Sequence, residues 1–380
     1  MIRVLSIFGT RPEAIKMAPV VHALEKAEGV ESLVCVTAQH RDMLDQVLGL
    51  FQLTPDDDLD LMQPGQNLHD LTARVVSNLR PVLMQRQPDV VLVHGDTTTS
   101  FGAALASFYC GIPIGHVEAG LRTGDLTAPF PEEGNRLLVD RLTQFLFAPT
   151  QKAAQNLRDE GLSDRNISVT GNTVIDALLW MRENVETLSA PQKIYGSAST
   201  IFENPQQKVV LVTGHRRESF GAGFEQICQA IKKIAIAHPD VQLVYPVHLN
   251  PKVQEPVYRL LSNLSNVHLI GPLDYQNFVR LMDRATIILT DSGGIQEEAP
   301  SLKKPTLVMR DQTERPEGVT AGVLQLVGTD VHRIFTATHR LLTIPSAYAD
   351  MTKNDNPYGD GKASQRIVET LRTHFTGLRK

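Results

Sequence analysis

Residues 291–298, Asp-Ser-Gly-Gly-Ile-Gln-Glu-Glu, follow the apolar run 286–290. A strand that feeds a glycine-rich turn and then a helix leaves unpaired backbone amides where an anion can sit. Glycine lets the backbone come close to such a ligand. Ser292, Gly293 and Gly294 therefore suit a phosphate or diphosphate, and Glu298, one turn on, can accept hydrogen bonds from ribose hydroxyls. The same residues also fit an ordinary strand-to-helix turn with Ser292 as N-cap. Pro300 predicts a helix confined to 295–299.

Other charged residues fall in the same kind of place, just after an apolar run. Arg11 and Lys16 flank Pro12, which fits a first helical position. Cations are misplaced at a helix N-terminus unless an anion joins them. His215 follows the run 209–213, and Arg315 stands directly before Pro316. Asp96 follows the run 90–94 and Glu118 follows 113–117; Asp96 fits equally well as the cap of a helix starting near Thr97. Period-two geometry groups His94 with Asp96, and His116 with Glu118. Segment 123–135, with Pro129, Pro131, Glu132 and Glu133, predicts a functional loop rather than filler.

The elements that must hold these residues are short β-branched runs alternating with longer helical patterns. Six strands are predicted in the first half, at 3–8, 33–37, 90–94, 113–117, 145–148 and 167–170. Six more are predicted at 209–213, 242–246, 267–270, 286–290, 306–309 and 324–327. Continuous apolar runs are what parallel strands covered on both faces require, and strand–helix alternation predicts an α/β architecture. Residues 182–207, with Pro191, Pro205 and several serines, separate the two sets. The expectation is two Rossmann-like, doubly wound domains. The first covers 1–171, with a C-terminal helix at about 363–380 packing back on it, and the second covers 172–362. Ligands of such sheets lie outside the carboxyl ends of the strands, so the cleft between facing domains is the expected site.

Bulk properties narrow the function. The chain has 380 residues, 42% hydrophobic and 21% charged, as in an ordinary globular protein. A net charge of -5 argues against a nucleic-acid partner. No apolar run approaches the roughly 20 residues of a membrane span, and the N-terminal apolar run is too short for a signal peptide. Cys35, Cys110 and Cys228 form no metal or redox spacing, so they read as free thiols in a cytoplasmic protein. Gly221-Ala222-Gly223 follows no strand directly and has Gln226 where the dinucleotide fingerprint needs glycine, so no NAD is implied. There is no phosphate-loop lysine motif and no nucleophile elbow. Asp56, Asp57, Asp58 and Asp60 imitate a metal motif of sugar transferases but read as a solvated acidic loop. His94, Asp96, His116 and Glu118 can in principle build a two-metal hydrolase, a minority reading. No metal and no cofactor are expected.

Taken together, Gly9-Thr10-Arg11-Pro12-Glu13, His94-Gly95-Asp96, His116-Val117-Glu118-Ala119-Gly120, Gly214-His215-Arg216-Arg217-Glu218 and Asp291-Ser292-Gly293-Gly294 resemble the non-hydrolysing UDP-N-acetylglucosamine 2-epimerases. The resemblance runs from Met1 to about Gly361. It implies a glycosyltransferase-B-like fold, a homodimer, and interconversion of UDP-GlcNAc and UDP-ManNAc for cell-surface polysaccharides. For some bacterial members it also implies a second, regulatory UDP-GlcNAc. Carried onto this chain, it implies that Arg11, His215, Ser292, Gly293, Gly294, Glu298 and Arg315 hold UDP. Phe278 would lie by the uracil, and Leu273, where some relatives carry Gln, is counted with the substrate contacts. Lys16, Asp96, Glu118 and Glu132 would surround the sugar and its C2; Asp96, Glu118, Glu132 and His215 would be catalytic. Gly134 weakens the helix start expected to place Glu132.

The implied route is elimination of UDP to 2-acetamidoglucal, followed by re-addition. The C2 proton of the sugar is not next to a carbonyl, so its removal alone leaves an unstabilised carbanion. Departure of UDP from C1 turns those electrons into a C1–C2 double bond. Preorganised positive charge must receive the diphosphate, and carboxyl groups must take and return a proton. A UDP-GlcNAc-dependent glycosyltransferase of the same fold, a hydrolysing 2-epimerase and a non-catalytic UDP-sugar sensor are the alternatives.

Overall fold

A computed structural model of the chain describes residues 1–38, 41–61, 63, 65–188 and 195–377. Residues 189–194 of the expected linker, Pro191 among them, and residues 378–380 of the expected C-terminal helix lie outside it. The chain divides into two compact units, 1–177 with 359–380, and 178–358. The first division falls inside the helix Thr173–Leu188.

The first unit is built on a seven-stranded sheet: β1 (Ile2–Phe8), β2 (Val30–Val36), β3 (Asp57–Asp58), β4 (Val90–His94), β5 (Ile114–Val117), β6 (Phe145–Ala148) and β7 (Ile167–Val169). The order is β3-β2-β1-β4-β5-β6-β7 and every pairing is parallel. β4 is buried along its whole length, as its unbroken Val-Val-Leu-Val run demands. Leu5, Ile7, Val91 and Val93 pack with Leu71, Val75 and Leu79 of the helix Leu68–Arg86 in one core. The C-terminal helix Ala363–Gly377 belongs to this unit and packs on the helix Arg11–Glu25. Asp176 holds its first turn, accepting the backbone N–H of Ser364 at 2.8 Å and of Ala363 at 3.2 Å.

The second unit carries six parallel strands: β8 (Val209–Thr213), β9 (Gln242–Pro246), β10 (Val267–Ile270), β11 (Ile287–Thr290), β12 (Thr306–Val308) and β13 (Leu324–Leu326), in the order β10-β9-β8-β11-β12-β13. Its core gathers Val210, Val212, Leu289 and Leu307 with Ile227, Ile231 and Ile334 of the covering helices. The two-unit, doubly wound α/β architecture is the one the alternation predicts. In each sheet the chain order reverses at one place, between β1 and β4 and between β8 and β11. The turns that leave those strand pairs stand side by side at the carboxyl edge, where α/β sheets bind ligands.

One expectation holds only in part. The acidic stretch is solvated as expected, with Asp56, Asp58 and Asp60 exposed, but it is not all loop, because Asp57 and Asp58 form the edge strand β3, in register with Cys35 and Val36. Asp56 accepts the Val34 N–H at 2.8 Å, Asp57 meets Arg86 Nε at 2.9 Å, and Asp58 meets Arg41 Nη1 at 2.6 Å. Cations from neighbouring helices neutralise a run that looks purely repulsive in one dimension. Charge along an edge also discourages pairing with another chain.

Candidate active site

In the first unit, the turns after β1 and β4 are joined by one buried carboxylate. Glu13 accepts the backbone N–H of Thr10 at 2.8 Å and of Gly9 at 3.1 Å through Oε2. Its Oε1 accepts the hydroxyls of Thr97 at 2.6 Å and Ser100 at 2.9 Å. A Cβ on Gly9 would come within 2.0 Å of Thr37 Oγ1, so this approach needs glycine. The helix Arg11–Glu25 starts at Arg11 itself, with Pro12 in its first turn. Arg11 is half-buried and makes no hydrogen bond or ion pair among the described residues.

Lys16, one turn along, places its ammonium on the Glu118 carboxylate. His94 Nε2 lies 3.7 Å from the same carboxylate. The expected grouping of His116 with Glu118 therefore fails: Glu118 meets Lys16 and His94 instead. The cause is local. β5 ends at Val117, and Glu118 takes a left-handed conformation, φ 71°, which breaks the alternation. His116 turns elsewhere, with Nδ1 2.6 Å from Asp140 and Nε2 2.7 Å from the Gly95 carbonyl. Both ring nitrogens are occupied, which removes His116 from the two-metal reading. Among the described residues no group of three or more His, Cys, Asp or Glu side chains is arranged to hold a metal.

Asp96 is not a helix cap. Thr97 fills that place, accepting the Ser100 N–H, and the helix runs Thr98–Tyr109. Asp96 instead receives Arg136 Nη2 at 2.5 Å, while Asn135 donates to its backbone carbonyl at 2.9 Å. The loop expected over 123–135 is shorter than predicted, because a helix, Glu132–Leu142, begins at Glu132 despite Gly134. Glu133 secures the loop by accepting the N–H groups of Thr123 and Gly124. Glu132 is half-buried and has no side-chain partner among the described residues.

In the second unit, Asp291 plays the part of Glu13. It is fully buried and its Oδ2 accepts the backbone N–H of His215 at 2.7 Å and of Arg216 at 2.8 Å. The turns after β8 and β11 are thereby tied together. Ser292 is the N-cap by position, but its side chain makes no capping bond, and the helix starts at Gly293, two residues earlier than predicted. Pro300 does not stop the helical path, which continues as a 3₁₀ turn over Ala299–Leu302, where the proline's missing N–H is harmless. The amides of Gly293 and Gly294 meet no acceptor among the described residues. Two guanidiniums approach Gly293: a Cβ there would lie 3.4 Å from Arg315 Cζ and 3.6 Å from Arg216 Nη2. Arg216 Nε is buried without a hydrogen-bond partner among the described residues, and Arg315 Nε donates to Glu297 at 2.8 Å. Arg315 precedes the short helix Pro316–Thr320, as its place before Pro316 predicts. Glu298 is buried on the helix that Gly293 opens. Phe278, on the helix Tyr275–Arg284, and Leu273, just before it, are both half-buried.

Residues 22–372 match the family model described as UDP-N-acetylglucosamine 2-epimerase. The chain belongs to this family. It is similar to the UDP-N-acetylglucosamine 2-epimerase of Yersinia pestis, 59% identical over 99% of this chain and 100% of that one. The enzyme of the same name from Escherichia coli is 58% identical, again over 99% of this chain and 100% of its own. Among solved structures it resembles the UDP-GlcNAc 2-epimerase of Neisseria meningitidis bound to UDP-GlcNAc, with 50% identity, 98% and 100% coverage and a TM-score of 0.85.

The electrostatics of the epimerase follow from these contacts. Burial alone would raise the Glu118 carboxyl, but the Lys16 ammonium, with His94, holds it well below the usual carboxylate range. Burial pushes the His215 imidazole below its ordinary value; Asp291 opposes this, and His248 and Arg216 add to it. His215 therefore stands near neutral pH as an uncharged ring, stacked 5.5 Å from His248, and not as the cation the sequence suggests. Arg136, Arg216, Glu13 and Asp291 are the residues that sequence reasoning passed over. Glu13 and Asp291 stand inside the motifs themselves, three residues after a predicted turn and directly after a predicted strand. Burial next to backbone N–H groups was their hidden signal.

Proposed function

We propose that this epimerase interconverts UDP-GlcNAc and UDP-ManNAc without net hydrolysis, by eliminating UDP and adding it back. The observation that carries the reading is the carboxyl group of Glu118, largely buried with its side chain 11% exposed and kept charged by Lys16, with Oε1 3.9 Å from where a Cβ on Gly95 would stand, beside Asp96. Carboxyl groups on adjoining turns are what inversion of a carbon needs, because one face must lose a proton and the other must gain one. The Neisseria meningitidis structure bound to UDP-GlcNAc supports the same substrate.

In the forward half, a carboxylate among Asp96, Glu118 and Glu132 takes the proton from C2. The C–H electrons form the C1–C2 double bond, and the C1–O bond breaks with its electrons leaving on UDP. The Gly293 and Gly294 amides, Ser292, Arg315 and Arg11 receive the diphosphate, with His215 as a neutral donor able to gain charge. Glu298 takes the ribose, Phe278 lies by the uracil, and Leu273 is counted with the substrate contacts. In the return half, a proton reaches the opposite face of C2 while a diphosphate oxygen reforms the bond to C1. Positive charge fixed before the reaction lowers the cost of developing negative charge. The proposal extends to a cytoplasmic homodimer and to a second, regulatory UDP-GlcNAc. It fits that Cys35, Cys110 and Cys228 are free thiols and that no described helix is long and apolar enough to cross a membrane.

Proton NMR of UDP-GlcNAc alone with the protein in deuterium oxide tests the reading. UDP-ManNAc should form, deuterium should enter C2 of both sugars, and free sugar should not accumulate. Turnover only after an acceptor is added would make the protein a transferase, and binding without exchange would make it a sensor.

A further inference from the structure

We infer that His116 and Asp140 form a buried clamp that sets the relative positions of the three reactive carboxyls, and that both are positioning residues for proton transfer at C2. The inference rests on the epimerase reading above. Both side chains are wholly buried, and neither points to any group the mechanism uses directly. Their hydrogen bonds to Gly95 and Gly120 nevertheless end on the turns that carry Asp96 and Glu118. His116 Nε2 reaches the carbonyl of Gly95, the residue before Asp96. That carbonyl can only accept, so the ring donates. Gly95 takes φ 66°, a left-handed turn that gives Asp96 its direction. On the other side, His116 Nδ1 meets Asp140 Oδ1 at 2.6 Å.

Asp140 then spreads the connection. Its Oδ2 accepts the N–H of Gly120 at 3.2 Å, which closes the turn bearing Glu118. The same oxygen receives Arg122 Nη2 at 2.7 Å, and Arg122 continues to Glu160. Burial would raise the Asp140 carboxyl, but His116 and Arg122 hold it below the ordinary range, so it stays an anion and a strong acceptor. Asp140 lies on the helix Glu132–Leu142, eight residues after Glu132, which places it ~12 Å along the same rigid rod. One dyad therefore touches the Asp96 turn, the Glu118 turn and the helix of Glu132.

This arrangement differs from ordinary core stabilisation in what it should control. Elimination needs a carboxylate on one face of C2 and re-addition needs a proton on the other. The distance between those groups, not the affinity for UDP, is what the dyad fixes. A displacement of about 1 Å in such a constellation can cost about a hundredfold in rate.

The experiment compares wild type, Asp140→Asn, His116→Gln and Arg122→Lys as full-length proteins, with UDP-GlcNAc as the probe. Asp140→Asn keeps the shape of the side chain and removes its charge. For it we expect kcat to fall at least tenfold, with KM and the UDP dissociation constant within about twofold of wild type. Deuterium entry at C2 should fall by the same factor as kcat. Thermal melting establishes that each variant is folded. If Asp140→Asn or His116→Gln does not fold, Arg122→Lys carries the test, because it keeps the cation while disturbing Asp140 from one side. It should lower kcat severalfold with KM unchanged. A folded Asp140→Asn, or the fallback Arg122→Lys, with wild-type kcat overturns the inference. Equal losses in kcat and UDP affinity overturn it too, since they would mark a purely structural dyad. A wild type that neither epimerises nor exchanges would instead sink the epimerase reading, so the two failures are distinguishable.

Discussion

In the first unit Glu118 is held by Lys16 and His94, Asp96 by Arg136, and Glu13 by four donors from two turns. In the second unit, among the described residues, the Gly293 and Gly294 amides after β11 meet no acceptor and Arg216 keeps a buried Nε without a partner. Both units solve the same construction problem alike, with a buried carboxylate tying two turns together: Asp291 accepts N–H groups of the other turn, and Glu13 accepts N–H groups of its own turn and hydroxyls beyond the other. They differ in what is left over. On the proposed mechanism two of the carboxyls that exchange a proton, Glu118 and Asp96, are fixed in advance by charge, as preorganised groups are, whereas Glu132 has no side-chain partner among the described residues. A surface that must capture and release an anion keeps donors in reserve, because a group already satisfied gains little from a ligand. The first unit is thus the better place to lose turnover, and the second the better place to lose affinity.

Asp96→Asn should break this contrast most sharply if it is wrong. The variant keeps the shape of the side chain and loses the charge that Arg136 faces. Steady-state assays should show kcat reduced by about 10²- to 10⁴-fold. Calorimetric UDP affinity should stay within about twofold of wild type. An equal drop in both would show that the first unit also binds the nucleotide through Asp96.

Arg11→Ala gives the next largest effect and crosses the divide. Arg11 belongs to the first unit but, having no partner among the described residues, resembles the second. UDP binding should weaken roughly 10- to 100-fold, the worth of about 1.5–3 kcal/mol for a charged hydrogen bond. The melting temperature should barely move, since a half-buried side chain without partners contributes within about 0.5 kcal/mol. Unchanged affinity would remove Arg11 from the phosphate site.

Gly293→Ala sharpens the comparison from the second side. The added methyl would make ordinary contacts, 3.4 Å from Arg315 Cζ and 3.6 Å from Arg216 Nη2, so the fold should accept it. It would stand close to both guanidiniums, on the residue whose amide is proposed to receive the diphosphate. UDP should bind roughly fivefold more weakly, a loss of about 1 kcal/mol. A variant that binds UDP as well as wild type would place the phosphates elsewhere.

The strand runs were legible because parallel strands buried on both faces are continuous apolar runs, and β8, buried along its whole length, shows this with bounds that match the sequence pattern at both ends. The turn residues were legible because strands of this kind can carry polar groups only at their ends. What escaped reading depends on three dimensions. Glu118 was grouped with His116 because alternation holds only while the backbone stays extended, and its positive φ cannot be read from a glutamate. Asp57 and Asp58 looked like a repulsive loop because Arg41 and Arg86 are distant in sequence. Arg216, beside His215, offered no way to tell which of the adjacent basic residues turns toward Gly293.

The smallest expected effect concerns His215, and its sign follows from the two states it links. In the unliganded protein burial lowers the imidazole below 6.5. A group depressed in this way stabilises the fold above the unfolded value near 6.5 and loses that contribution as pH falls through its lower folded value. Its side chain is 40% exposed, so solvent screens the effect and the stability change should be slight. Binding has the opposite sense. A diphosphate next to the ring favours the protonated form, so the bound value must lie above the free one, and binding must take up protons. UDP-GlcNAc carries a diester diphosphate that does not itself titrate near neutrality, which makes it the cleaner probe. Its affinity should rise by about two- to fivefold from pH 8 to pH 6. Titration calorimetry in buffers of different ionisation heat should register fractional proton uptake, and His215→Asn should abolish both. Affinity independent of pH, with no proton uptake, would mean that His215 stays neutral throughout. The second unit would then hold the diphosphate with its guanidiniums and amides alone.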